Sequence, residues 1–256
     1  MAEKWRLLDT GLRDAFYNMA LDEAIAIARA RDIVPNTVRF FRWEPSAVSI
    51  GYFQSMGEEV DVEACDRLGI NYVRRRTGGG AVYHDRDGEL TYSIIVIENH
   101  RLISRDFQKT YEILCSGLVE GLRLLGVPAE FKPINDIVVN GRKISGNAQT
   151  RGMGVVHQHG TILRDVNPQL MFTVLKVPSE KIRDKMIRSV EERVTSLKKY
   201  LGRDIGFGEL KNALISGFES TFNIELESGE ITDFEERMAM KLKEEKYSKK
   251  EWNFRR

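Results

Sequence analysis

The sequence predicts an α+β domain with a helical C-terminal third, spanning residues 1–256 as one unit. Three observations predict it. Strand-like runs crowd residues 1–165 without a clean βαβα alternation, Asn140-Gly141 gives a hairpin signal between two such runs, and helical periodicity takes over after Asn167-Pro168. Neither an internal repeat nor a linker divides the chain, so about 1–165 reads as mixed α+β and about 166–256 as mainly helical.

Along the chain, Phe16, Met19, Ala20, Ala24 and Ile27 fall at helical spacing and predict an amphipathic helix over about 15–31. "TVRFFRW" and "AVSIGYF", split by Glu44-Pro45-Ser46, predict two strands, and "VDVEACDRLG" a short helix stopped by Gly69. "INYVRRR" and "GAVYHD" predict strands on either side of a glycine run, followed by "ELTYSIIVIE", whose apolar end suits the middle of a sheet. A helix over about 105–125 ends at Gly126 and Pro128. "NDIVVNGRKISGNAQ" then predicts a hairpin turning at Asn140-Gly141, and "GVVHQHGTIL" another strand. Helices follow over about 187–201, over "FGELKNALISGFESTF" with Phe207, Leu210, Leu214, Phe218 and Phe222 on one face, and over about 232–246.

The bulk properties exclude several classes. At 256 residues the chain buries a core without staples, and its two cysteines, Cys65 and Cys115, suggest neither a disulfide framework nor a metal cluster. No apolar run approaches the roughly 20 residues of a membrane span, and the N-terminus lacks the apolar segment of a secretion signal. A cytoplasmic protein is expected. With 39 basic and 38 acidic residues, the chain is not a general nucleic-acid binder.

Four segments could carry chemistry. "RRRTGGGAVYHD" (74–85) joins three arginines to three glycines, each of which costs roughly 0.5–1 kcal/mol against alanine in a strand. Bare backbone amides and guanidinium groups suit phosphate or carboxylate, although neither GxxxxGK[ST] nor GxGxxG is present; a strained hairpin with exposed arginines is the plainer alternative. In "KPINDIVVNGRKISGNAQTRG", Lys143 can aim a compact charge at a carbonyl or phosphoryl oxygen, or be a solvated strand lysine. Asn135-Asp136 could orient that lysine, hold Mg2+ through the Asp136 carboxylate, or simply open a turn. His157 and His159 share a strand face, but no third ligand lies near in sequence, which makes hydrogen-bonded structural histidines the favoured reading. In "FNMALDEA", capping and packing account for Asn18, Asp22 and Glu23.

Together, "FYNMALDEA", "RFFRWEPSAVSIGYFQ", "RRRTGGGAVYHD", "ELTYSIIV", "NDIVVNGRKISGNAQTR" and "QHGTIL" resemble the lipoate-protein ligase family, which also includes lipoyl and octanoyl transferases. The resemblance covers about residues 5–165 closely. It implies a catalytic domain similar to that of biotin-protein ligases, with two sheets flanked by helices. It also implies an ATP-dependent reaction: lipoate and Mg-ATP give lipoyl-AMP, and a lysine of an acceptor domain then takes the lipoyl group. By that resemblance Arg75, Gly80, Ala81, Val82, Tyr83 and Lys143 would bind ATP, with Lys143 catalytic. Gly78, Gly79, His84, Asn135, Asp136, Gly146 and His159 would surround the lipoyl-adenylate. Val48, Ile50 and Tyr52 could line a channel for the acyl chain, though strand packing explains them equally well.

The nearest rival is an octanoyl transferase of the same family, which takes its acyl group from a carrier protein through a cysteine thioester. In that branch a cysteine precedes the "KISG" lysine; here the stretch is Ala129-Glu130-Phe131, and a glutamate cannot replace a thiolate. That difference favours the ATP-dependent ligase. A biotin ligase and a non-catalytic cofactor-binding module are further alternatives. The expected partners are lipoyl-acceptor domains, either of a 2-oxoacid dehydrogenase or of the glycine-cleavage carrier. A separate accessory polypeptide is also expected, because many ligases of the family carry a further C-terminal domain.

Overall fold

The computed structural model describes residues 2–177 and 179–256. The chain opens with β1 (Glu3–Arg13) and α1 (Ala15–Ala30), whose first turn is closed by Asp14 accepting the Tyr17 N–H. β2 (Thr37–Trp43) and β3 (Ala47–Ile50) follow, then a single turn α2 (Met56–Glu59) and α3 (Val62–Leu68). α3 ends at Gly69 in the left-handed region, as the sequence predicts. Next come β4 (Asn71–Arg74), β5 (Val82–His84), β6 (Glu89–Ile97) and α4 (Phe107–Leu124). β7 (Ala129–Lys132), β8 (Asp136–Val139), β9 (Arg142–Gly152) and β10 (Val155–Leu163) complete the strand-rich part. The last third holds α5 (Pro168–Val174), α6 (Glu180–Arg193), α7 (Leu197–Leu201) and α8 (Phe207–Phe222), then β11 (Ile224–Ser228), α9 (Asp233–Leu242) and α10 (Lys250–Asn253). Among the described residues no helix is long and apolar enough to cross a membrane.

These strands make two sheets, one of eight strands in the order β11-β1-β2-β6-β10-β9-β8-β7 and one of three in the order β4-β3-β5. β6 lies mid-sheet, as its apolar run requires, with His159 of β10 opposite Ser93 and Phe40 of β2 opposite Tyr92. The β8–β9 hairpin turns at Asn140 and Gly141, both at positive φ (49° and 74°), which is the geometry an Asn-Gly pair selects. On one face of the large sheet, α4 and α8 pack Leu114, Leu118, Leu122, Leu214 and Phe218 against Phe40, Tyr92 and Ile162. α1 covers the other with Leu21, Ala24 and Ile25 against Phe41 and Ile95. The small sheet has its own cluster around Val48, Ile50, Met56 and Val60.

Three strands escape the sequence prediction, and two helices end differently. β1, β7 and β11 are edge or near-edge strands with short or broken alternation, of which β11 buries only its first residue. The helix expected over 187–201 is two helices. Its interruption at Val194–Ser196 is pinned to β9, where the Thr195 N–H donates to the Lys143 carbonyl at 2.8 Å, and Ser196 then caps α7. The helix expected to run to 246 stops at Leu242 and widens into a π-helical turn over Lys243–Tyr247.

Candidate active site

A cavity of about 350 Å³ is lined from both sheets, from the glycine run and from α5 and α6. That volume lies at the lower end of the range for small-molecule sites. Of the residues picked from the sequence, Arg75, Gly79, Gly80, Ala81, Val82, Tyr83, His84, Asn135, Lys143, Gly146 and His159 line it, whereas Gly78 and Asp136 do not. Val48, Ile50 and Tyr52 do not line it either. β-strand alternation turns Val48 and Ile50 into the small sheet's core and presents Ser49, between them, to the cavity. Glu89, Trp43, Asn147 and Met171 also line it without having been picked out.

The arginine run serves the fold. Arg74 is fully buried and donates to the carbonyls of Gly51, Tyr52, Gln54, Trp252 and Asn253, tying β4 to the loop that follows β3 and to the C-terminal turn. Arg75 is buried too. Its Nη2 donates to the carbonyls of Gly78 (2.8 Å) and Gly80 (2.7 Å), its Nη1 to Ser49 O (3.0 Å) and Ser49 Oγ (3.2 Å), and its Nε to Thr77 Oγ1 (3.1 Å). The expectation that Arg75 grips a nucleotide phosphate is therefore corrected, because its donors are spent on shaping the glycine loop. Arg76 faces Glu23 at 3.8 Å.

Because the loop carbonyls turn toward Arg75, the N–H groups of Gly78, Gly79, Gly80 and Ala81 meet no protein acceptor among the described residues. Gly79 sits at φ 93°, and its carbonyl abuts Gly51 so closely that a Cβ on Gly51 would lie 2.0 Å from the oxygen. Gly51→Ala should displace this loop, with a cost of about 1–3 kcal/mol in stability. A thermal melt measures that cost.

Ser49, His84 and Glu89 form a line of hydrogen bonds, each residue at most 5% exposed. Ser49 Oγ lies 2.7 Å from His84 Nε2, and His84 Nδ1 lies 2.6 Å from Glu89 Oε1. The carboxylate fixes the proton on Nδ1, which leaves Nε2 to accept from the serine hydroxyl. Trp43 stacks on the imidazole with ring centroids 4.1 Å apart and donates its indole N–H to Thr91 Oγ1 at 2.8 Å, so the ring cannot swing.

Lys143 projects from β9 into the cavity and pairs with Asp136 at 2.6 Å. Asp136, expected to hold Mg2+, faces the lysine here. A Cβ on Gly146 would come within 2.8 Å of Lys143 Cε and Nζ, so the lysine side chain lies directly over the glycine and would have to shift for any larger residue. Asn147 and Asn135 exchange backbone and amide hydrogen bonds behind it, and Tyr92 donates to Asn147 Oδ1 at 2.6 Å.

The sequence offered no third group near the histidines, but the fold supplies Asp22 from α1. Its Oδ2 lies 3.3 Å from His157 Nε2 and 3.6 Å from His159 Nδ1. Its Oδ1 accepts from Arg39 at 2.7 Å, so a guanidinium already supplies the countercharge. Burial works against the Asp22 carboxylate, yet the Arg39 charge and the two imidazoles hold it well below its usual range. Burial pushes His159 down to about 4, which keeps it neutral where its Nε2 meets Thr77 Oγ1 at 2.8 Å. The unfolded chain binds a proton on this imidazole near pH 6.5, whereas the folded chain does so only near pH 4. Stability should therefore decline as pH falls from about 6.5 to about 4, by on the order of 3 kcal/mol, and His159→Gln should flatten that part of a pH series of melts.

Neither thiol reaches the cavity. Cys65 and Cys115 are buried, and burial raises each to about 12, so neither is a nucleophile at neutral pH.

Residues 14–219 match the model of the lipoyl protein ligase A/B catalytic domain. The chain belongs to this family. Solved structures agree with the fold. The ligase of the bipartite archaeal lipoylation system of Thermoplasma acidophilum superposes with a TM-score of 0.88 at 34% identity, over 98% of this chain and 96% of that one. Lipoate-protein ligase A bound with ATP superposes with a TM-score of 0.83 at 32% identity, over 99% of both chains.

The curated relatives correct the expected reaction. Octanoyltransferase LipM of Kyrpidia tusciae is 41% identical over 276 aligned residues, covering 99% of this chain and 100% of the relative. The enzyme of the same name from Bacillus subtilis is 35% identical over 99% of both chains. Full-length similarity to octanoyltransferases overturns the ATP-dependent ligase reading of this family member. With it go ATP, Mg2+, lipoate as free substrate and lipoyl-AMP, since moving an acyl group that is already activated leaves no adenylation step for them to serve.

Proposed function

We propose that this chain is an octanoyltransferase that moves a medium-chain acyl group from a thioester donor to the ε-amino group of a lysine on a lipoyl-acceptor domain, with residues 1–256 acting as one catalytic unit. The full-length similarity to octanoyltransferases carries this reading. The site supports it: a cavity of about 350 Å³ combines apolar lining from Met19, Val82, Met171 and Val190 with polar lining from Ser49, His84 and Lys143. In this role Lys143 and the unpaired amides of the glycine loop face the acyl carbonyl. They stabilise the negative charge that collects on its oxygen as the tetrahedral intermediate forms.

A preactivated donor needs no second activating polypeptide, so the proposal carries no accessory chain. The test is mass spectrometry of a lipoyl domain incubated with this chain and an octanoyl thioester, without ATP. Octanoylation of the acceptor lysine supports the reading. Modification that appears only with free acid, ATP and magnesium overturns it.

A further inference from the structure

We propose that Ser49 is the acyl-accepting nucleophile of this enzyme, activated by His84 as general base and oriented through Glu89. The inference rests on the acyl-transfer reading and answers the question that reading leaves open, since the cavity has no thiol. A nucleophile is recognised by a hydrogen bond to a base that is itself held by a third group. Ser49 Oγ to His84 Nε2 at 2.7 Å and His84 Nδ1 to Glu89 Oε1 at 2.6 Å meet that description, and all three residues line the cavity.

Two further observations point the same way. Arg75 Nη1 donates to Ser49 Oγ at 3.2 Å, and the other oxygens this buried guanidinium meets are neutral, so a cation without a carboxylate partner stands beside the attacking oxygen. Secondly, Ser49 lies two residues before Gly51, which packs against the Gly78 and Gly79 carbonyl groups, so β3 and the glycine loop meet beside the serine, and both line the cavity. A serine that only filled the small sheet would need neither a base nor a cation.

The steps balance. Ser49 Oγ attacks the thioester carbonyl carbon as its proton passes to His84 Nε2. The carbon–sulfur bond breaks, and the departing thiolate takes the proton from His84. An oxygen ester on Ser49 remains. The neutral amine of the acceptor lysine then attacks that ester and gives a proton to His84. The carbon–oxygen bond breaks, the amide forms, and the proton returns to Ser49 Oγ.

Intact-mass spectrometry of the full chain after incubation with an octanoyl thioester, without acceptor, tests this. One octanoyl group should appear, resist neutral hydroxylamine as oxygen esters do, and map to residues 47–50. Ser49→Ala should lose the adduct and slow transfer on the order of 10³-fold or more, far beyond what its effect on the melt explains. Ser49→Cys should restore an adduct that hydroxylamine now removes, a signature that a purely structural serine would not give. Wild-type transfer by Ser49→Ala, or an adduct that disappears in Cys65→Ala/Cys115→Ala and persists in Ser49→Ala, overturns the inference while leaving the acyltransferase reading intact. Failure of the wild-type chain to octanoylate an acceptor from any thioester overturns both.

Discussion

Replacing Lys143 by alanine should lower transfer turnover by roughly 10²–10³-fold, the loss that follows removal of one strong donor from a developing oxyanion. The melting temperature should barely move. Lys143 and Asp136 are 40% and 32% exposed, and such a pair contributes about 0–1 kcal/mol to stability. The placement of the lysine is nevertheless firm. The Thr195 N–H holds its backbone carbonyl, Asp136 lies 2.6 Å from its Nζ, and the bare backbone at Gly146 leaves the side chain its path into the cavity. Lys143→Arg should recover only part of the loss, because a planar guanidinium needs more room than the channel over Gly146 leaves. Steady-state kinetics beside a thermal melt separate these effects; a Lys143→Ala enzyme with wild-type kcat removes the lysine from the mechanism.

What the sequence showed and what it hid have physical causes. Periodic, capped segments were legible: α1 behind Asp14, α3 between Asp61 and Gly69, and the Asn140-Gly141 hairpin all announce themselves through local chemistry. β1, β7 and β11 were not, since strands at or next to a sheet edge owe their existence to a neighbour rather than to their own pattern. The family was legible because its motifs are local. The reaction type was not, because it was made to depend on the absence of one cysteine, whereas full-length similarity to octanoyltransferases pointed the other way. Within the site, the glycines and Lys143 stood out as unusual residues in strand settings. Ser49 did not, since one serine between two apolar residues looks like ordinary alternation; His84 reaches it only when β5 pairs with β3 in the small sheet, and Glu89 joins from the start of β6 in the large one. The arginine run misled in the opposite sense. Three adjacent cations suggest an anion, but the fold places Arg74 and Arg75 where loop carbonyls need donors.

Asp22→Ala should destabilise the protein by about 3–5 kcal/mol, because it leaves the Arg39 guanidinium buried without its countercharge. At this chain length such a loss lowers the melting temperature by roughly 10 °C. Arg39 has no way to escape to water. It is fully buried, packs 4.0 Å from the Phe41 ring, and spends its remaining donors on Thr10 and Asn18. Arg39→Met should be nearly as damaging, since it strands the Asp22 carboxylate instead. Removing both charges together, as Asp22→Leu/Arg39→Met, should cost less than the sum of the two single changes, and the size of that saving measures the pair's coupling. The consequence reaches the cavity, because Asp22 also faces His159, whose other nitrogen meets Thr77 within the segment that Arg75 shapes. Asp22→Asn keeps the volume but weakens the hold on that imidazole. It should therefore reduce turnover by more than its effect on the melt explains, with the excess growing as temperature rises toward the transition. If turnover and stability instead fall strictly in step across Asp22→Asn, Asp22→Ala and Arg39→Met, the pair belongs to the core alone and the helix has no part in holding the loop over the acyl group.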